Sequence, residues 1–182
     1  MLSFTEMSLP PFLALRLQQA GIVAPTPIQE AAIRLAVEGR DVMAQAKTGS
    51  GKTLAFLLPM IERALRPGVS TEGIPVHTSG ALSLPRFLIL APTRELALQI
   101  ETELRKYAPP AVTSLAVYGG TPIERHYRAL RRPPLVVVGT PGRLLDLAGS
   151  GHLHLSAVTW LVMDEADQML DRGFLRDIQR IL

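Results

Sequence analysis

Apolar runs of strand length alternate with helical patterns through most of this chain, and no other feature limits its fold as tightly. Five runs read as strands: Asp41–Gln45, Phe87–Ala91, Ser114–Tyr118, Leu135–Gly139 and Trp160–Met163. Several are nearly continuous in apolar residues, the pattern of strands buried on both faces of a parallel sheet. Helical patterns begin near Gly51, Thr93, Pro122, Pro141 and Glu165. Such alternation requires right-handed crossovers and implies a doubly wound α/β fold, an open and mostly parallel sheet with helices on both faces. Two helices precede it. Ser8 is placed to cap one over Leu9–Ala20, closed by Gly21, and Thr26 caps another from Pro27 to Gly39. Arg66–Pro85, dense in Pro, Gly, Ser and Thr, reads as a long surface loop. Trp160 and the leucine stripes read as core, and 182 residues suffice for one domain.

Composition narrows the class further. Cysteine is absent, which removes disulfide frameworks and thiolate metal sites. No apolar run reaches the roughly 18–20 residues of a membrane span, and MLSFTEMSLPPF lacks the basic start and apolar stretch of a secretory signal. A cytoplasmic domain without a membrane partner is expected. Sixteen of the nineteen basic residues are arginine. Arginine's planar fork suits phosphate, though composition alone locates no binding face. His152 and His154 have no third clustered ligand and do not read as a metal site.

The chemistry concentrates in two strings. Ala46-Lys47-Thr48-Gly49-Ser50-Gly51-Lys52-Thr53 follows a strand candidate and opens a helix, the setting of a phosphate-binding loop. Gly49 and Gly51 allow the sharp turn that aims successive N–H groups at phosphate oxygens, and the helix start adds its positive dipole end. In this arrangement Lys52 reaches the outer phosphates and the Thr53 hydroxyl holds Mg²⁺. Thr48, Gly49, Ser50 and Gly51 complete the nucleotide-binding turn, with Ala46 where the generic motif has its first glycine. The second string, Asp164-Glu165-Ala166-Asp167, stands at the tip of the apolar run Leu161-Val162-Met163. There Asp164 is suited to hold Mg²⁺ through water, and Glu165 to act as general base on the attacking water.

Together these residues resemble the DEAD-box family of superfamily-two RNA helicases, and further strings follow in that family's order. Gly21-Ile22-Val23-Ala24-Pro25-Thr26-Pro27-Ile28-Gln29 is similar to the adenine-reading Q motif, with Phe4 as its isolated upstream aromatic. Pro92-Thr93-Arg94-Glu95-Leu96-Ala97 resembles motif Ia, Gly119-Gly120 the glycine doublet, and Thr140-Pro141-Gly142-Arg143 motif Ib. The resemblance covers about Phe4 to Phe174. It implies an N-terminal RecA-like ATP-binding domain over residues 1–182, with ATP or ADP and Mg²⁺ as cofactors and RNA as partner. Lys52, Asp164 and Glu165 would be catalytic, and Asp167 would couple to a second RecA-like domain. Pro92, Thr93, Arg94, Gly119, Gly120, Thr140, Pro141, Gly142 and Arg143 would contact RNA. Ile22 stands where the family often has an aromatic residue, so base stacking would rest on Phe4. The family's Ser-Ala-Thr motif and second domain would lie beyond Leu182, so little activity is expected of this chain alone.

Gln29 carries an acceptor and a donor at the spacing adenine complements, and its orientation is expected to be held by backbone around Ile22–Ala24. Independently of the family, five loops follow strand ends: Gly49–Thr53, Pro92–Arg94, Gly119–Gly120, Thr140–Arg143 and Asp164–Glu165. In an open parallel sheet these ends share one edge, where ligands bind. An ATP-gated RNA clamp with slow turnover would use the same residues as an unwinding enzyme. A phosphate-loop enzyme acting on a small molecule would leave Arg94 and Arg143 without a role.

Overall fold

The computed structural model of the chain describes residues 3–47, 49–66, 74–76 and 82–182. They fall into two compact units. The first comprises the described residues within Met1–Val69 together with Lys106–Pro109, and the second those within Ser70–Arg105 together with Pro110–Leu182.

The first unit is helical. A 3₁₀ turn at Phe4–Glu6 leads to α1 (Pro11–Gln19), α2 (Pro27–Val37) and α3 (Lys52–Ala64). α1 begins later than its sequence suggests. A residue that precedes proline is driven out of the helical region, and Pro10, followed by Pro11, sits at ψ 138°. Ser8 accordingly lies at φ 56° and is not the cap. Leu13 and Leu17, one turn apart, form the buried stripe of α1, and Leu54, Leu57, Leu58 and Ile61 do the same for α3. Thr26 caps α2 as expected, with Gln29 at its third position.

Asp41–Gln45 corrects the sequence reading: no strand forms there. The segment has no ladder partner among the described residues, and Val42 and Met43 are exposed. Apolar patterning favours an extended chain, but a strand exists only where a neighbour takes its hydrogen bonds.

The second unit carries the sheet. A short antiparallel pair, β1 (Ile74–Val76) and β2 (Leu82–Leu84), lies within the stretch that reads as a loop, much of which falls outside the described residues. There follow β3 (Phe87–Leu90), α4 (Arg94–Tyr107), β4 (Ser114–Val117), α5 (Ile123–Leu130), β5 (Val136–Gly139), α6 (Pro141–Gly149), β6 (Trp160–Met163), α7 (Ala166–Asp171) and α8 (Leu175–Ile181). The larger sheet is parallel throughout, in the order β4-β5-β3-β6. The inner strands, FLIL and VVVG, are buried at every position. β6 is outermost and only partly buried, which leaves Trp160 half-exposed rather than in the core. Leu88, Leu90, Val117, Val137, Leu144 and Leu147 form the centre of the core, closed by Met169 and Ile178.

Register decides where function can sit. Leu90 pairs with both Gly139 and Met163, and Gly139 pairs with Val117, so all four strands end level. The residues that follow them therefore leave from one edge. Gly139 sits where a Cβ would lie 2.6 Å from Val117 Cγ2 and 2.9 Å from Leu144 Cγ. Only glycine lets β5, β4 and α6 meet this closely.

Candidate functional site

In the first unit the glycine loop leads into α3. Gly49 and Gly51 both adopt positive φ, 78° and 90°. Thr48 lies outside the described residues. Gln29 is 2 % exposed, and both ends of its amide are engaged. Oε1 accepts from the Thr26 N–H at 3.0 Å, and Nε2 donates to the Gly51 carbonyl at 3.0 Å. A Cβ at Gly51 would collide with that amide nitrogen, so the close approach of the two segments requires glycine. The groups that orient Gln29 are thus Thr26 and Gly51, not backbone around Ile22–Ala24. One N–H and one oxygen lone pair of the amide remain. Lys52 Nζ donates to the carbonyls of Ala46 and Lys47, which folds the ammonium back over its own loop. Thr53 is half-buried at the start of α3.

Phe4 is buried, 4 % exposed, and borders a shallow cavity of about 390 Å³ that Pro11, Leu15, Ile22 and Val23 also line.

In the second unit Asp164 extends the ladder beyond β6, its N–H donating to the Leu90 carbonyl at 3.1 Å. The residue is 8 % exposed, and its Oδ1 accepts the Glu165 N–H at 3.1 Å. Glu165 itself stands at φ 51°, ψ 49° as the cap of α7. A non-glycine residue in that region carries about 1–3 kcal/mol of strain and marks places where function fixes the backbone. Asp167 is exposed in the first turn of α7.

Around the same strand ends lies a basic and aromatic cluster. Pro92 is buried, and Thr93 Oγ1 accepts the Leu96 N–H at 3.2 Å, capping α4. Arg94 is exposed, and its guanidinium lies over the Tyr118 ring, 4.9 Å from the centroid. Gly119 and Gly120 are exposed, with Gly120 at φ 78°. Thr140 caps α6, its N–H donating to the Val117 carbonyl at 3.1 Å, with Pro141 and Gly142 in the first turn. Arg143 differs from Arg94: its side chain is 10 % exposed. Its Nη2 donates to the Thr121 carbonyl and its Nη1 to His126 Nδ1, both at 3.0 Å, while Nε lies 3.6 Å from Asp146 Oδ2. His126 is 5 % exposed and meets Tyr118 edge to face, 5.5 Å between centroids. Burial first, then Arg143 and Arg125, hold His126 below the ordinary imidazole pKa.

Four of the five expected loops therefore leave one sheet edge in the second unit, and the fifth, Gly49–Thr53, belongs to the first. Tyr118 and His126 escaped the sequence reading. The available signal was helical spacing, since His126 and Leu130 are one turn apart on the buried side of α5, where an apolar residue is the usual choice. His152 stacks on Tyr127 with ring centroids 3.7 Å apart. No helix among the described residues is long and apolar enough to cross a membrane.

Comparison with known proteins agrees with this geometry. The chain is 46 % identical over 181 residues to DEAD-box ATP-dependent RNA helicase 3B, chloroplastic, of Zea mays, covering all of this chain and 23 % of that protein. It is 43 % identical over 182 residues to DEAD-box ATP-dependent RNA helicase CshA of Streptococcus pneumoniae, covering 32 % of it. It thus spans a quarter to a third of these relatives. The crystal structure of the RNA-helicase Prp28 from Chaetomium thermophilum bound to ADP superposes with a TM-score of 0.86 at 41 % identity, over all of this chain and 43 % of that one. A family model described as DEAD/DEAH box helicase matches residues 26–182. The chain belongs to the DEAD/DEAH box helicase family.

Proposed function

We propose that this chain is the ATP-binding, RNA-contacting portion of an ATP-dependent RNA helicase, and that its chemistry is RNA-stimulated ATP hydrolysis. The observation that carries the reading is the tip of β6, where a buried Asp164 is followed by a glutamate held in a left-handed backbone. The residues fit a magnesium nucleotide. Gly49 and Gly51 hold the left-handed turn that aims N–H groups at an anion, and the Thr53 hydroxyl in the first unit and the Asp164 carboxylate in the second are each the hard oxygen donor that Mg²⁺ prefers. When bound, the metal neutralises charge on the phosphate chain.

The protein's own groups then have separate roles. Backbone N–H groups of Gly49–Thr53 hold phosphate oxygens, and Lys52 exchanges the carbonyls of Ala46 and Lys47 for the outer phosphates. Gln29 holds the phosphate turn through the Thr26 N–H and the Gly51 carbonyl, and Phe4 and Ile22 support the base through the cavity they border. Glu165 takes a proton from the attacking water. Gly119, Gly120 and the first turns of α4 and α6 contact the RNA backbone, with Arg94 as the exposed cation. Asp167 couples to a second RecA-like domain, which would supply arginine fingers worth on the order of 10³–10⁵ in rate. A cytoplasmic place of work belongs to this reading and rests on composition.

Titration of ADP onto the 182-residue chain tests the assignment. Lys52→Ala lowers affinity on the order of tenfold to a hundredfold, the size of a hydrogen bond to a charged group. Glu165→Gln retains the nucleotide and abolishes the residual turnover. Equal loss of affinity in both variants overturns the separate roles.

A further inference from the structure

The Arg94–Tyr118–His126–Arg143 cluster contains a buried histidine that neither nucleotide binding nor hydrolysis uses. Arginine has no acceptor, so the 3.0 Å contact between Arg143 Nη1 and His126 Nδ1 has one sense: the arginine donates and the imidazole accepts. His126 is therefore neutral, with its proton on Nε2. The same guanidinium fixes the Thr121 carbonyl through Nη2. Being only 10 % exposed, Arg143 is placed to tie the glycine-doublet loop to α6 rather than to reach into solvent. Tyr118, at the start of that loop, is held between the edge of His126 and the guanidinium of Arg94.

We propose that His126 is a positioning residue for the RNA-contacting edge: as a neutral acceptor it orients Arg143, which in turn sets Gly119–Thr121 against the start of α6 for an RNA strand. The inference rests on the RNA reading of this face. Protonation would place a hydrogen on Nδ1, so that a donor would face a donor and two cations would share a buried space. The surrounding charges do not relieve this. From α6 come Arg143 itself and Asp146, which is 63 % exposed and 3.6 Å from Arg143 Nε. From α4 comes Arg94, across the Tyr118 ring. On α5 the neighbours are Glu124, exposed, and Arg125, which disfavours the charged imidazole. The clasp accordingly holds at neutral pH and opens as pH falls below the usual histidine range.

The test is the affinity of the 182-residue chain for a fluorescein-labelled oligouridine, measured by anisotropy from about pH 8 down to about pH 4.5, through and below the usual histidine range. Added positive charge at low pH normally strengthens RNA binding. The clasp predicts the opposite, a fall on the order of tenfold in the wild type, the scale of one hydrogen bond to a charged group. His126→Gln keeps an uncharged acceptor, so it should match the wild type at high pH and lose the acid-dependent fall. His126→Leu keeps the burial and should bind weakly at every pH, with its amide NMR spectrum reporting whether the fold survives. The glutamine profile decides the matter even if the leucine variant unfolds. Arg94→Ala separates the two layers of argument. If it weakens binding while His126→Gln follows the wild type at all pH values, the RNA face stands and the positioning role is overturned. If Arg94→Ala leaves affinity unchanged, or the wild type does not bind, the RNA reading falls and the inference with it.

Discussion

Gly49–Thr53 and Gly119–Thr121 are both glycine turns that follow extended chain, and they are secured by different means. The first follows Asp41–Gln45, an exposed segment without a ladder among the described residues, and is held by two side chains. Gln29 grips the Gly51 carbonyl, and Lys52 leans on Ala46 and Lys47. The second follows β4, in a sheet whose inner strands are buried throughout, and is clasped between two arginines, one tyrosine and one histidine. Hydrogen bonds from flexible side chains exchange partners at small cost, whereas a packed stack moves as a whole or not at all. On the proposed function the contrast suits two tasks: one loop would let go of its own carbonyls to take phosphates, and the other would keep its shape for an RNA strand.

The largest effect should come from beneath the clasped loop. Gly139→Ala forces a methyl group between Val117 and Leu144, and overpacking of this kind costs about 1–3 kcal/mol. Urea unfolding of the chain should show the loss near the upper end of that range. A midpoint equal to the wild type would mean that the strand ends are far more compliant than the 2.6 Å approach allows.

A smaller and local effect is expected in the other loop. Gly51→Ala introduces left-handed strain of about 1–2 kcal/mol and displaces Gln29. ADP affinity should drop roughly tenfold, equivalent to about 1.4 kcal/mol, while the urea midpoint falls by less than in Gly139→Ala. Global unfolding by this variant would erase the distinction between an adjustable loop and a packed one.

The smallest of the three sharpens the role of Gln29. With Oε1 on Thr26 and Nε2 on Gly51, its removal loosens the phosphate turn whichever base is bound. Gln29→Ala should therefore weaken ADP and GDP together by about threefold to tenfold, the value of an ordinary hydrogen bond. Parallel titrations of the two nucleotides distinguish this from base reading, in which the ratio changes and GDP binding does not.

What could be read from the sequence follows the range of the forces involved. FLIL and VVVG announce buried parallel strands because their pattern is local, and the observed strands end within a residue or two of the expected positions. The Thr26 cap and the glycine turn at Gly49 and Gly51 were legible for the same reason. Features that depend on a distant partner were not. Asp41–Gln45 has strand-like composition but no ladder among the described residues, and Trp160 is left half-exposed by the place of β6 in the sheet order. The bond from Gln29 to Gly51 spans 22 residues and that from Arg143 to His126 spans 17, so neither leaves a mark in local spacing. Pro10 is the exception, a local rule overlooked: proline before proline ends one conformation and delays the next.

Arg16 shows how little sequence signal a cross-chain anchor needs. Its Nη1 donates at 2.7 Å to the carbonyls of both Tyr107 and Ala108, at the C-terminal end of α4. Those carbonyls carry the negative end of the α4 dipole. Their bond to α1 joins segments more than ninety residues apart, and they could form only after α4 has been made. During synthesis α1 would therefore wait, incompletely fastened, until Tyr107 emerges. For this contact the order of assembly would run against the order along the chain, since α1 precedes its anchor by more than ninety residues and is fastened only after it.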